Sequence, residues 1–480
     1  MTIELSNLTF TEQDDIVPMS GVEEIINSGI ANTLAGNDTI TSIGTKFKIH
    51  PSIGILGTGF HNIGTLNTAE GNDRITGIHR PNQFEPYPDN PTNINVRSYG
   101  IFNESGTIDT GDGNDLITGI SEAKEGIGSH STFYPFGIEN YNGIINTGDG
   151  NDAIVGTGDI GIYNDFSSTI DTGEGNDLIT GIGRVGILNF IATLDTGSGN
   201  DIITGNSDDL YGTGIYNFKY INTGDGNDTI TGTARSSGIE NFNGTIDTGD
   251  GNDIITGTAR NGITNSGTIN TGNGDDSMIS QGEFGNYGGL FLGDGNDSLT
   301  ADADTDLSPN RFFLNHNAIE TGDGNDIITS NGLIYNEGVI NTGDGADSII
   351  VNGGVDDLTG TRYGIYNNGG AINMGDGNDS IIANADFRSG LNSSGAWFLG
   401  EGDDYIKGFG SGDFYGGSGN DTLELTPGTY TVGIWGEGGE SPIFTKGDQL
   451  MITSEFEKLK AGSTIYDFTS LTAGQIIIVV

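Results

Sequence analysis

The chemistry-bearing stretch of this chain is clearest as Thr-Ile-Asp-Thr-Gly-Asp-Gly-Asn-Asp-Leu-Ile-Thr-Gly, from Thr107 to Gly119. Its G-N-D or G-D-D core, once varied to G-A-D, recurs fifteen times. The copies end at Asp38, Asp73, Asp115, Asp152, Asp177, Asp201, Asp228, Asp253, Asp276, Asp297, Asp326, Asp347, Asp379, Asp404 and Asp421. A glycine stands at the fourth motif position (Gly113 in the clearest copy) in all fifteen, and at the second (Gly111) in thirteen, with Leu34 and Ala69 as the exceptions. Glycine reaches positive φ without steric cost, so the turn can aim carbonyl oxygens at one centre beside the carboxylate. A donor set of carbonyl and carboxylate oxygens suits a hard cation, and the flexible geometry of such a turn favours calcium over magnesium.

The candidate ligands are therefore the motif aspartates, with the acids that often fill the third position: Asp112, Asp149, Asp225, Asp250, Asp294, Asp323, Asp344 and Asp376, joined by Glu70, Glu174 and Glu401. If the turns stack on one corner, motif aspartates come within roughly 5 Å of each other, where like charges repel by about 1 kcal/mol in water and about 4 at an effective dielectric of 20. Cations between the rungs would relieve that repulsion. Metal binding and folding would then be one event.

The elements that must position these turns follow from two further columns. Two residues after every motif Asp the chain is aliphatic or Met, as at Ile40, Ile117, Ile203, Met278, Leu299 and Leu423. Seven residues before it lies a second apolar column that includes Leu66, Ile108, Ile145, Leu194, Ile269, Ile340 and Trp397. A third element, G-I-x-N, recurs upstream as Gly100 to Asn103, Gly137 to Asn140 and Gly161 to Asn164, and in five later copies. Its asparagines are read as a structural ladder that hydrogen-bonds backbone at a tight corner. Three short strands per repeat, each burying one aliphatic side chain, give one coil that cannot bury its inner face alone but does so when stacked. The expected fold is all-β, a right-handed parallel β-solenoid of about fifteen coils with β caps at both ends.

Residues 1–30 read as an N-terminal cap, 31–424 as the repeats, and 425–480 as a C-terminal β cap, since open ends of a stack need cover. Variation in repeat length collects between the I-T-G strand and the next G-I-x-N, at 78–99, 120–136, 301–313 and 352–363. Such a row of loops can bind partners, but loops that tolerate change account for it as well.

Composition narrows the function. Glycine is 84 of 480 residues, too much for long helices. A formal charge of −49, from 66 acids and 17 bases, argues against nucleic acid, whose affinity rests on Lys and Arg. The chain has no cysteine. That excludes disulfides and thiolate metal sites. No stretch has the length of a membrane-spanning helix, and the first thirty residues do not read as a secretory signal peptide.

The turn resembles the repeat-in-toxin, or hemolysin-type calcium-binding, family, whose G-G-x-G-x-D-x-U-x nonapeptides wind into a parallel β-roll with calcium between turns. Gly416 to Glu424 matches all nine positions, and the other copies match from the second or fourth glycine. The resemblance implies that glycine-region carbonyls and Asp carboxylates are the ligands. It also implies secretion by a type I route, with an uncleaved C-terminal signal like Tyr466 to Val480 and folding outside the cell. Two departures are Thr in place of the first glycine, as at Thr110, Thr147 and Thr172, and a spacing near 25 residues, which leads us to expect one calcium row instead of two.

The resulting expectation is a secreted calcium-binding solenoid with a structural, surface or adhesive role, with carbohydrate or a cell surface as candidate partners. The first alternative is a polysaccharide-acting β-helix enzyme. It needs an acid and a base in one cleft, whereas His50, His61, His79, His130 and His316 are scattered and read as surface imidazoles, so catalysis is not expected. The second is an ice-binding solenoid, from the Thr column three residues after the motif Asp (Thr41, Thr76, Thr118, Thr180, Thr204, Thr231, Thr256, Thr300, Thr329), which Val155, Ile279, Ile350 and Ile382 interrupt.

Overall fold

The structure is a computed structural model. It describes residues 2–17, 24–50, 54–81, 96–123, 133–302, 312–356, 361–389, 395–436 and 441–480. Two compact units are present, one formed by Met1–Asp250 with Ile255–Ala259 and the other by Gly251–Ile254 with Arg260–Val480. Both are parallel β-solenoids.

In the first unit one coil shows the plan. Strand Val96–Glu104 carries Ile101 and Asn103 and lies between Gly54–Asn62 and Phe133–Tyr141, parallel to both. Strand Thr107–Asp109 lies between Thr65–Asn67 and Ile144–Asn146. After the glycine turn, Leu116–Ser121 lies between Arg74–His79 and Ala153–Thr157. Pairing is in register from coil to coil, so equivalent side chains stack on themselves. Ile101, Ile108 and Ile117 are all fully buried, as are their counterparts in the neighbouring coils. Each such side chain contributes about 1.5–3 kcal/mol of burial. The core is thus three aliphatic columns, one per strand, and the order of elements is the one expected from the sequence.

The stack begins earlier than expected. Ile16–Val17 pairs with Thr39–Gly44, and Glu24–Asn27 pairs with Gly54–Asn62, both in parallel. Residues 1–30 therefore already contain coil strands, with Thr2–Glu4 laid on Glu24–Asn27.

The second unit repeats the columns with larger residues toward its end. Ile372 stacks on Trp397 and Trp397 on Phe414, the last two rings parallel at 4.3 Å. Beyond Leu425 antiparallel pairing joins the parallel stack: Gly428–Trp435 pairs with Ser441–Lys446 and with Ile476–Val479, and Ser441–Lys446 with Gln449–Ser454, while Gln449–Ser454 lies parallel to Gly412–Ser418 and Lys458–Ala461 parallel to Thr422–Leu425. This is the strand-rich C-terminal segment that the sequence indicated. In the terminal strand Ile477 and Val479 are buried while Ile476 and Ile478 remain exposed.

The expected loop excursions fall largely on 82–95, 124–132, 303–311 and 357–360, outside the described residues, as does His130. Among the described residues no helix is long and apolar enough to cross a membrane.

Candidate metal site

The turn is held by five hydrogen bonds that repeat from coil to coil. At the first position Thr110 donates its backbone N–H to Asn146 (3.0 Å) and its hydroxyl to the Thr147 carbonyl (3.3 Å). The threonine that replaces the family's first glycine thus bonds the next coil. At the fourth position Gly113 donates to the Asp149 carbonyl (2.8 Å) with φ at 149°, and a β-carbon there would collide with the Gly71 carbonyl below. Gly111 has φ at 79°. Leu34 and Ala69, the two residues that replace this glycine, adopt the same left-handed conformation at 68° and 64°, a strain on the order of 1–2 kcal/mol each.

The fifth and sixth positions reach in opposite directions. Asn114 donates its N–H back to the Asn72 side-chain oxygen (2.7 Å), whereas Asp115 donates forward to Oδ1 of Asp152 (2.7 Å). The aspartate rungs form one continuous ladder in each unit. In the first, the amides of Asp15, Asp38, Asp73, Asp115, Asp152, Asp177 and Asp201 each bond Oδ1 of the next Asp, ending on Asp228, at 2.7–2.8 Å. In the second, Asp253, Asp276, Asp297, Asp326, Asp347, Asp379 and Asp404 do the same, ending on Asp421, at 2.7–2.9 Å. Asp421 then donates to Oε2 of Glu457 (2.7 Å).

The fifteen motif carboxylates are buried, none more than 2% exposed, whereas Asp15 is half-buried and Glu457 exposed at the two ends. While Oδ1 is paired, Oδ2 is buried without a hydrogen-bond partner in Asp38, Asp73, Asp115, Asp152, Asp177 and Asp201, and in Asp276, Asp297, Asp326, Asp347, Asp379, Asp404 and Asp421. Burial pushes the carboxyls up, to about 6 for Asp73 and Asp152, about 7 for Asp115, Asp201 and Asp379, and about 8 for Asp297, where the Asp326 and Asp276 charges add to it. The hydroxyl of the motif threonine, where there is one (Thr68, Thr110, Thr147 and Thr196), and the amide from the preceding coil lower these carboxyls but do not offset burial.

The other candidates lie elsewhere. Asp112, Asp149, Asp225, Asp250, Asp294, Asp323, Asp344 and Asp376 are exposed, and form a separate outer column. Among the described residues no three Asp, Glu or His side chains converge as a metal cluster. Of the candidate donors, the structure thus places the motif aspartates inside, with one unpaired carboxylate oxygen per coil, and the third-position aspartates outside.

Two rungs escape the motif. Asp15 and Glu457 lack the glycines, yet each is followed two residues later by a buried aliphatic, Val17 and Leu459, which pair with Ile40 and Leu423. That spacing was the available signal.

On another corner the G-I-x-N asparagines form the expected structural ladder. Each Nδ2 donates to Oδ1 of the next at 2.8–3.1 Å, from Asn27 through Asn62, Asn103, Asn140, Asn164, Asn189 and Asn217 to Asn241, and again from Asn265 through Asn286, Asn315 and Asn336 to Asn367. Nδ2 also bonds backbone, as Asn103 does at Gly106 and Ile144 (both 3.0 Å). Five rungs were missed because the preceding glycine-isoleucine pair is absent: Asn27, Asn62, Asn286, Asn315 and Asn336 follow Ile25, Phe60, Phe284, Phe313 and Ile334 by two residues.

Two histidines correct the reading of scattered surface imidazoles. His79 is fully buried, with Nδ1 2.6 Å from Ser98 Oγ, and burial pulls its pKa down to about 4. His61 is buried against Phe102 and Glu104. His79 is covered by Phe47 and Ser98, which the repeat pattern does not describe, whereas His61 stacks on Phe102, the variable residue of the next G-I-x-N.

No protein-family model matches the chain, and no curated protein matches it. Among solved structures, the chain is similar over 98% of its length to 95% of a hyperactive, Ca2+-dependent, beta-helical antifreeze protein from an Antarctic bacterium, with 16% identity and a TM-score of 0.39.

Proposed function

We propose that the chain is a calcium-binding solenoid of the repeat-in-toxin kind, exported, folded by the ion outside the cell and serving a structural or adhesive role without catalysis. The observation that carries this reading is the half-paired buried carboxylate in coil after coil. A row of ionised oxygens in that setting is costly unless protons or cations hold it. Calcium, when bound, supplies the positive charge the ladder lacks. The residues that hold it are the motif aspartates through Oδ2, from Asp73 to Asp421, with the turn carbonyls beside Gly111 and Gly113; the outer acids, from Asp112 to Asp376, raise the local negative potential.

The test is a calcium titration of metal-free protein at pH 7.5, followed by far-ultraviolet circular dichroism and calorimetry. The β signal is expected to appear with calcium, not with equimolar magnesium, and to vanish with excess chelator. A spectrum indifferent to chelator removes the reading.

A second reading is carried by a different face of the first unit. The outward side chains of five successive strands are Leu116, Thr118 and Ile120; Ala153, Val155 and Thr157; Leu178, Thr180 and Ile182; Ile202, Thr204 and Asn206; Thr229, Thr231 and Thr233. In a chain with 66 acids this face carries no charge. In-register hydroxyls and methyls at a spacing of about 4.8 Å form a regular array suited to an ordered surface such as ice. Thermal hysteresis that Thr180→Tyr and Thr204→Tyr abolish would support it, and zero hysteresis of the calcium-loaded protein would dismiss it.

A further inference from the structure

We infer that an outer corner of the second unit, next to its asparagine ladder, is a binding strip for a neutral, hydroxyl-rich glycan chain. The residues on either side of the ladder asparagine lie outside the core, and in successive coils they include Tyr287, His316, Tyr335, Glu337, Tyr366 and Asn368. Tyr287 stacks on His316 at 4.9 Å with an interplanar angle of 12°, His316 meets Tyr335 at 6.0 Å, and Tyr335 meets Tyr366 edge-on at 5.1 Å. The Arg388 guanidinium lies over Tyr366, 4.6 Å from its centroid.

Polar groups run through this row and are already oriented. Glu337 accepts from the Tyr335 hydroxyl (2.7 Å) and from Asn368 Nδ2 (2.8 Å), and lies 2.8 Å from His316 Nδ1. Asn368 Nδ2 also reaches the Tyr335 oxygen at 2.9 Å. The Tyr335 hydroxyl bond leads the effects that hold the Glu337 carboxyl below its usual range, so it is an ionised acceptor at neutral pH.

The fold does not require this arrangement. The inward column of the same strands, Phe284, Phe313, Ile334 and Ile365, is already fully buried and supplies the packing. Tyr287 remains 45% exposed. Exterior β positions accept Thr or Val equally well, so four consecutive coils of rings with a fixed carboxylate and amide call for a ligand.

The chemistry selects a glycan. The exposed Tyr287 ring and the outer edges of its stacked neighbours meet the axial C–H groups of a pyranose, while Glu337, His316 and Asn368, which already bond one another, offer their remaining donors and acceptors to its hydroxyls. The coil rise of about 4.8 Å is close to one sugar residue, so one chain can lie along successive coils in register. The net charge of −49 disfavours an acidic polysaccharide. Because the groups are held before the ligand arrives, little ordering cost remains on binding.

The inference rests on the fold and not on the calcium reading, and its assay is run on the full chain in excess calcium. Protein would be incubated with cellulose and chitin beads and run in native gels containing mannan, xyloglucan or alginate. Retention by at least one neutral polysaccharide is expected, with none by alginate. Tyr335→Ala with Tyr366→Ala should weaken that retention by about tenfold or more, equivalent to ~1.4 kcal/mol, with an unchanged circular dichroism spectrum. Glu337→Gln, an exposed change that spares the packing, should weaken it several-fold. Failure to bind every neutral polysaccharide, equal retention of alginate, or wild-type binding by Glu337→Gln and any folded Tyr variant would each overturn it.

Discussion

The molecule runs two buried polar ladders on two corners, and they solve the same problem differently. Both join coil to coil by hydrogen bonds of ordinary length, 2.7–2.9 Å for aspartate and 2.8–3.1 Å for asparagine. The asparagine amide both donates and accepts, so each rung satisfies its neighbours and stays neutral. The carboxylate only accepts. It uses one oxygen on the amide of the preceding coil and leaves the other buried and, when ionised, charged. The lesson is that stacking alone does not create a demand for a cation; an acceptor-only side chain in the stack does.

The largest expected effect comes from moving one chemistry to the other corner. Asn140→Asp loses the Nδ2 bonds to Asn164, Thr169 and Gly143 and buries a charge without a counter-charge. It should destabilise the first unit by about 3–5 kcal/mol, read as a lower urea midpoint of the calcium-loaded protein at neutral pH. Equal behaviour of this variant and wild type would mean the corners are interchangeable.

The second expected effect is a pH dependence carried chiefly by the aspartate ladder, with buried Glu139 acting in the same direction and buried His79 in the opposite one. Its folded pKa values, about 6 to 8, lie above the ordinary 3.8, so the folded protein keeps protons that the unfolded chain releases. That stabilisation is complete below about pH 3.8 and is lost as pH rises through about 6 to 8. Each rung contributes on the order of 1.4 kcal/mol for every tenfold difference in proton affinity between its folded and unfolded states. Calcium-free protein should therefore hold its β structure at pH 5 and lose it by pH 8, and saturating calcium should flatten or reverse the trend. A melting temperature that rises with pH in the absence of calcium would contradict the assignment.

Smaller effects separate the two jobs of one aspartate. Asp115→Ala removes the acceptor of the buried Asp73 amide and should cost about 1–3 kcal/mol. Asp115→Asn keeps an oxygen for that amide and removes the charge, so calcium-free stability at pH 5 should change by about 1 kcal/mol or less, while the calcium-induced rise in melting temperature shrinks. If Asn and Ala behave alike, the hydrogen bond is not what Asp115 provides. The outer column gives the smallest change: Asp112→Asn, exposed, should stay within about 0.5 kcal/mol.

The same contrast explains what could be read from the sequence. The aliphatic columns were legible because in-register stacking demands the same residue type at the same spacing in every coil. The asparagine ladder was legible where glycine and isoleucine flanked it and invisible at Asn286, where Phe284-Gly285-Asn286 serves as well; the structural requirement is an apolar residue two positions before the amide. Asp15 and Glu457 were hidden because the rung needs only a carboxylate oxygen, and the glycines belong to the turn rather than to the bond. The split between Asp115 and Asp112 was not legible, because adjacent acids in a string carry no sign of which one faces the interior. His79 was misread for the opposite reason: its cover comes from outside the periodic positions, so no spacing announces it.

The opposed reach of Asn114 and Asp115, one toward the coil before and one toward the coil after, has a consequence for how such a chain can change over generations. Each coil presents the same docking surface above and below, so a coil is an interchangeable segment. Excision of residues 178–201 would set Ile202 after Asp177 and return every column to register, and tandem duplication of the same segment would lengthen the stack without a new contact. Genetic gain or loss of whole repeats is thereby neutral to the architecture, and the number of coils is free to follow the length of whatever surface the protein has to span.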